Sequence, residues 1–177
     1  VMPATKNIDE QGAIVGSMGK VLDLTSSDVF ERAHDILVAN YQHVVAYGLL
    51  RVSTLRLMRT VPAYIGWDPV FIWELALRGK IVQLEGAVLL RRFHSGSISR
   101  VKTVKEMRKW VEPNSKAGMN FPHWTWAYER ARVLFACPLT MRDRLRISLF
   151  LARYTMWQRV ALARDVTQAA RRTLRLS

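Results

Sequence analysis

The chain has 177 residues, of which 50% are hydrophobic, and its formal net charge is +13. This length suits one domain, or one domain with an extension, and the composition is sufficient to bury a substantial core. The single cysteine, Cys137, excludes an intrachain disulfide and favours a reducing compartment. The longest uncharged run, residues 36–50, contains Asn, Gln and His side chains, so it is a poor candidate for a membrane span.

The positive charge is concentrated in the second part of the chain. Residues 1–99 contain 10 Lys and Arg against 9 Asp and Glu, whereas residues 100–177 contain 17 against 5. The second part is therefore suited to an anionic partner.

The first sixty residues predict short strands and helices. Residues 1–15 predict a strand, a turn at 9–12 and a short strand. Apolar side chains recur at helical spacing over residues 28–39 and predict a helix that stops near Asn40. The β-branched run 43–50 predicts a buried strand, and residues 53–58 predict a short helix or turn. Within that run, Gly48 would mark a bend or the close approach of a substrate or another backbone.

A helix with both ends marked is predicted from Pro69 onwards. Asp68 suits the N-cap, and Pro69 suits the first helical position. Gly79 suits the left-handed position just past the carboxyl end. Glu74 and Arg78 are four residues apart and are expected to pair. The other side chains are apolar on nearly every side, so the helix is expected to be buried on more than one face.

Two apolar runs and a basic loop follow this helix. Residues 81–84 and 87–90 have strand length and are separated by Glu85 and Gly86. They predict two strands, of which the one before the loop is expected to be buried. The polar loop 91–99 comes next, and a loop held by a rigid scaffold is a common location for binding and catalytic side chains.

The remaining chain predicts helices. A capping-box spacing indicates a helix over 103–111, and residues 113–122 interrupt the pattern and form the best domain boundary. Residues 123–136 predict a helix that Pro138 ends, and residues 141–174 predict helix with a kink. One apolar stripe along the last segment consists of Leu145, Leu149, Ala152, Met156, Val160 and Ala163. A second consists of Phe150, Tyr154 and Trp157, with arginines between the two.

The order of these motifs resembles the second half of a bacterial family 2 glycosyltransferase with the GT-A fold. The matching segments are residues 48–51, 67–68, 74–80 and 91–97, and the resemblance covers roughly residues 1–112. It implies an α/β fold, with the acceptor-side half of a GT-A domain in residues 1–112 and a basic α-helical extension in 113–177. The chain contains no Asp-x-Asp, the metal-binding motif of the family's nucleotide-binding half. We therefore expect that half to precede Val1, and the chain to be a fragment that is inactive without it.

The resemblance also implies an activity and a set of site residues. The reaction would move a sugar from a nucleotide-sugar to an acceptor hydroxyl, with inversion, in glycan or envelope polysaccharide synthesis. In the family, an acidic residue opening this helix is the catalytic base, which corresponds to Asp68; many relatives have two acidic residues where this chain has Trp67 and Asp68. A downstream His that helps to hold a metal–diphosphate corresponds to His94, and the expected ion is Mn²⁺ or Mg²⁺. The family pattern places Arg51 alone near the acceptor. Gly48 is a further acceptor-binding candidate because a substrate could approach it, and Trp67 because its ring could stack on a sugar.

Elementary chemistry agrees with these assignments and leaves simpler ones open. A carboxylate within reach of the acceptor hydroxyl can take its proton, and cations must offset the charge of the departing diphosphate. The guanidinium groups of Arg91 and Arg92 suit a diphosphate, although neighbours in a strand point to opposite faces, so at most one should bind it directly. The simpler roles are an N-cap for Asp68, a backbone-bonded loop residue for His94, and core packing rather than sugar stacking for Trp67.

The expected partners are a nucleotide-sugar donor and a glycan or lipid-linked acceptor, in the cytoplasm or at the inner face of the cell membrane. The rival hypothesis is a non-catalytic module whose basic helices bind nucleic acid or an anionic membrane. No recognised nucleic-acid motif is present, so nucleic acid is not expected. Arginines beside apolar stripes are typical of helices that lie in an anionic membrane interface. The alternative is that the Leu145 stripe packs on the catalytic domain.

Overall fold

The computed structural model describes residues 1–17, 24–38, 44–58, 67–94 and 121–174, and these form a mixed α/β structure. The strands are β1 (Met2–Ile8), β2 (Ile14–Ser17) and β3 (Gln83–Arg92). The first helices are α1 (Val29–Val38), a 3₁₀ helix (Val44–Tyr47), α2 (Val52–Leu57) and α3 (Trp67–Arg78). The later helices are α4 (Pro122–Ala136), α5 (Met141–Trp157) and α6 (Arg159–Leu174).

The described strands form a three-stranded sheet in the order β2-β1-β3. β2 pairs antiparallel with the end of β1, and β3 pairs parallel with β1 along its whole length. The turn between β1 and β2 is held by Asp9, whose Oδ1 accepts the backbone N–H groups of Gln11 at 3.0 Å and Ala13 at 2.8 Å. The predicted strand, turn and strand at the start of the chain are confirmed.

β3 is one strand with a bulge rather than the two strands predicted. Its register against β1 jumps from Leu84 to Val88, so three residues bulge out, and the middle one, Gly86, has a φ of +78°. The predicted burial is also wrong. Leu84, Val88 and Leu90 are 41 to 55% exposed, and among the described strands β3 pairs only with β1.

The predicted strand at 43–50 is wrong as well. The run begins with the 3₁₀ helix, and Tyr47 and Leu49 are exposed. Leu49 and Val1 exchange two backbone hydrogen bonds of 2.9 Å at the amino end of β1. The apolar, β-branched composition of the run therefore does not decide its structure.

α1 and α2 confirm their predictions, and the end of the first helix near Asn40 lies outside the described residues. α1 packs on α3 through Ala33, Ile36 and Leu37, which are buried. The guanidinium of Arg32 is buried in the same contact, where Nε donates to the carbonyl of Ala76 at 2.9 Å.

α3 is the central helix of the core. Every residue from Ile72 to Leu77 is buried, as the apolar pattern predicts, and Arg78 pairs with Glu74 at 2.7 Å. The predicted cap at Asp68 is wrong, because the helix begins at Trp67, whose ring packs on Phe71, and Asp68 lies in the first turn.

The predicted left-handed carboxyl end of α3 is wrong too. Gly79 does not have a positive φ, and its N–H still bonds to the carbonyl of Leu75 at 2.9 Å. Among the described residues, positive φ values occur only at Gly12 and Gly86.

The three carboxyl-terminal helices confirm the helical predictions for residues 123–174. α4 ends before Pro138, and the predicted kink falls at Gln158, between α5 and α6. Trp73 of α3 is fully buried and donates its indole N–H to the carbonyl of Arg130 in α4 at 3.2 Å. One hydrophobic cluster therefore includes residues from both sides of the predicted domain boundary. The predicted helix 103–111 and most of the boundary segment lie outside the described residues, so the division into domains stays a prediction.

α5 packs on the molecule with a different face from the Leu145 stripe. Ile147 and Leu151 are buried, whereas Leu145, Leu149 and Met156 are exposed. The Leu145 stripe therefore does not pack on the described part of the chain, and its packing on a complete catalytic domain stays an untested alternative. Of the helices in the described part of the chain, none has both the length and the apolar character that crossing a bilayer requires.

Candidate functional site

The carboxyl ends of β1 and β3 lie side by side. The register pairs Asn7 with Arg91 and Ile8 with Arg92, and the N–H of Phe93 donates to the carbonyl of Ile8 at 2.8 Å. The turn 9–12 that follows β1 therefore meets the segment that follows β3. In open α/β sheets, ligands bind outside the carboxyl ends of parallel strands, so this end of the sheet is the first candidate site.

Arg92 and Arg91 are used in different ways there. Nη1 of Arg92 donates to the backbone carbonyls of Asp9, at 3.1 Å, and Glu10, so Arg92 holds the turn in place. The guanidinium of Arg91 lies over the ring of Phe93, 4.7 Å from its centroid. Planar guanidinium groups suit phosphate oxygens, and the assignment of Arg91 or Arg92 to a diphosphate stays a prediction.

His94 is exposed and follows Phe93 at the same end of the sheet. Among the described residues, no three His, Cys, Asp or Glu side chains lie close enough together to hold a metal ion. The described residues thus offer His94 as one candidate ligand but do not form a metal site by themselves. The requirement for Mn²⁺ or Mg²⁺ stays a prediction.

Asp68 and Trp67 lie in the first turn of α3, and both are partly exposed. The Trp67 and Phe71 rings meet edge to face, with centroids 5.7 Å apart. The carboxylate of Asp68 is thus near the positive end of the helix dipole, where a negative charge is favoured. Trp67 uses one side of its ring for packing and retains partial access to solvent.

Gly48 and Arg51 lie near the opposite end of β1. A Cβ on Gly48 would overlap the carbonyl oxygen of Val1, so another backbone, not a substrate, occupies the space that this glycine leaves. Arg51 is exposed just before α2. At about 3.3 Å per residue along β1, Gly48 is roughly 25 Å from the turn that Arg92 holds. The structure therefore does not bring the predicted acceptor residues, Gly48 and Arg51, close to the predicted diphosphate residues, Arg91 and Arg92.

A further polar cluster was not predicted from the sequence. Asp165 of α6 is buried and accepts the backbone N–H of His123 at 2.8 Å, and its other oxygen lies 2.9 Å from Nδ1 of the same residue. A cavity of about 150 Å³ beside them is also lined by Trp126, Ala127, Arg130, Tyr154, Thr155, Gln158 and Leu162. Because 42 residues separate His123 from Asp165, no local motif could reveal the pair. Asp165 satisfies donors at the start of α4, which explains its burial.

Comparison of the chain with protein-family profiles, with curated proteins and with solved structures gives no match.

Proposed function

We propose that the chain is the acceptor-side half of a GT-A glycosyltransferase, which moves a sugar from a nucleotide-sugar to an acceptor hydroxyl with inversion. The observation that carries the proposal is the parallel pairing of β1 with β3. This pairing supports a ligand site at the carboxyl ends of the two strands, where Arg91 and His94 lie beside the turn 9–12.

In this proposal Asp68 is the base. Its carboxylate takes the proton of the acceptor hydroxyl while the acceptor oxygen forms a bond to the anomeric carbon. The bond from that carbon to the diphosphate breaks, and the diphosphate leaves with the electron pair. Arg91 offsets the charge that develops on the leaving oxygens. A divalent ion, when bound, would supply further charge compensation for the diphosphate.

The uncovered apolar surface of the sheet region supports the idea that this is one half of a larger unit. Val88 and Leu90 are two residues apart on one face of β3, and both are exposed. An exposed apolar strand face commonly marks a place where further protein packs. The nucleotide-binding half would cover this surface, and the reaction would take place in the cytoplasm, with a glycan or lipid-linked acceptor.

The class of reaction can be tested by product release. The protein, expressed from its complete reading frame, is incubated with a panel of nucleotide-sugars and Mn²⁺ or Mg²⁺, and nucleoside diphosphate is measured. We expect release from at least one donor, an increase when the correct acceptor is added, and loss of release on chelation. His94→Ala should shift the metal titration to higher concentration.

Two results would contradict the proposal or part of it. If no donor yields nucleoside diphosphate although one of them binds, the glycosyltransferase hypothesis fails. If the metal titration of the His94→Ala variant overlays that of the parent protein, His94 has only a structural role.

A further inference from the structure

α5 carries an apolar face that the fold does not use. We call it the outer stripe, and it consists of Met141, Leu145, Leu149, Ala152 and Met156. The spacings of four, four, three and four residues place these side chains on one side of the helix. Met141, Leu145, Leu149 and Met156 are between 61 and 76% exposed.

The opposite face of the same helix already provides the packing that holds α5 in the molecule. Ile147 and Leu151 are buried, and Phe150 and Tyr154 pack against the core. Arg146 pairs with Asp28 at 3.3 Å and connects α5 to the start of α1. The outer stripe is therefore not needed to attach α5, and its large side chains point away from the protein that they belong to.

The surface around the outer stripe is cationic. Residues 121–174 contain ten arginines, no lysine and three acidic residues. Arg142 and Arg153 are exposed and adjoin the outer stripe on α5, and the arginines at 159, 164 and 171 are exposed on α6. Arg153 lies over the ring of Trp157, 5.1 Å from its centroid, and that ring is itself half exposed.

The acidic side chains of these helices offset only part of this charge. Asp165 is buried against His123, and Asp143 bonds to Thr140 and lies 3.9 Å from Arg146. Within residues 141–171 these two are the whole acidic complement. The outward surface of α5 and α6 therefore presents arginines and an exposed tryptophan around an apolar centre.

We propose that the outer stripe docks on an anionic membrane surface, with its apolar side chains below the headgroups and Arg142 and Arg153 among the lipid phosphates. A helix with apolar side chains on the lipid side and arginines at the edge lies in the plane of the interface. The helix spans no bilayer in this arrangement, and the inference does not depend on the proposed sugar transfer.

Two other occupants fit the same surface less well. A second copy of the chain would pack the same patch on both sides of a two-fold axis, which would bring the arginines of both copies together. Nucleic acid would satisfy the arginines but leave the apolar centre of the patch in contact with a polar backbone. An anionic lipid surface satisfies both parts.

The test is co-sedimentation of the full protein with vesicles of phosphatidylcholine alone and of phosphatidylcholine mixed with phosphatidylglycerol. Binding is expected only with the anionic vesicles and should weaken with added salt. The Debye length falls from about 10 Å at 0.1 M salt to about 3 Å at 1 M, so the arginines are attracted to the lipid phosphates over a shorter distance. Replacing Arg142 and Arg153 by glutamine should weaken binding about 25-fold, at about fivefold for each basic residue. Leu145→Ser with Leu149→Ser should abolish it.

Matched control variants distinguish docking through the outer stripe from non-specific adsorption to the vesicles. Arg56→Gln, and Val52→Ser with Leu57→Ser, change exposed side chains on α2 and should leave vesicle binding unaltered. Thermal unfolding confirms that each variant is folded. Equal binding to both kinds of vesicle, or binding to neither, would overturn the proposal. So would sedimentation velocity that shows a dimer which the Leu145 and Leu149 changes dissociate.

Discussion

Arg32 shows how a charged side chain can be part of the core. It lies on α1, donates to Ala76 at the end of α3, and donates Nη1 to the carbonyl of Ser26 at 2.7 Å. Burial lowers the pKa of Arg32, and the nearby Asp28 carboxylate opposes that shift. The fold can bury this guanidinium because its N–H groups donate to several carbonyls at once, which a lysine could not do with the same geometry.

Cys137 gives a prediction at the residue scale. It is buried, and burial raises the pKa of its thiol to about 11 from an ordinary value of 9.0. We therefore expect very slow reaction with iodoacetamide near neutral pH in the folded protein, and rapid reaction after unfolding in urea. Equal labelling rates in the two states, followed by mass spectrometry, would show that the thiol is accessible.

The raised pKa of Cys137 determines how the free energy of unfolding changes with pH. The folded-state pKa lies above the unfolded one, so the contribution of Cys137 to stability is fully present below about pH 9. It is lost as the pH rises from there towards about 11. A Cys137→Ala variant should lack this alkaline component when urea denaturation is followed across that range.

At the scale of elements, the sequence predicts helices better than strands. The 3.6-residue period of α4, α5 and α6 depends on local spacing, and their bounds agree with the prediction within about two residues. The strands depend on pairing instead. The runs 43–50 and 81–90 have similar apolar, β-branched composition, yet only the second pairs along β1. Composition does not show which of the two runs pairs with β1 in the sheet.

The bulge in β3 gives a prediction at this scale. Gly86 has a φ of +78°, a conformation that costs a residue with a Cβ about 1–2 kcal/mol. Gly86→Ala should lower the free energy of unfolding by about that amount in urea denaturation. Gly16→Ala on β2 is the control, because neither its φ nor its surroundings oppose a Cβ. If the two variants lose similar amounts of unfolding free energy, the positive φ of Gly86 does not contribute to the stability of the bulge.

At the scale of the whole molecule, sequence order predicts part of the candidate site. Asp68 lies in the first turn of a helix, close to where the sequence places it, whereas Arg91 and Arg92, predicted to begin a loop, are the last two residues of β3. What the sequence could not show is that β3 pairs parallel with β1, which brings the loop to the turn 9–12. It also could not show that Gly48 lies against Val1, because that approach joins segments 47 residues apart.

The core likewise joins distant parts of the chain. Trp73 of α3 contacts α4, and Arg146 of α5 reaches Asp28 beside α1. The arginine-rich helices are thus held against the α/β part by shared burial. That attachment would fix the outer stripe relative to the sheet, so that docking on a membrane would also orient the candidate site.

The central claim is that Asp68 is the base of a sugar transfer, and one measurement tests it most directly. The turnover number of the Asp68→Asn variant of the complete protein is compared with that of the parent and of Asp35→Asn, which alters an exposed carboxylate on α1. We predict a fall of about 10²-fold or more for Asp68→Asn, unchanged affinity for the nucleotide-sugar, and no effect for Asp35→Asn. A turnover number for Asp68→Asn equal to that of the parent would contradict the account.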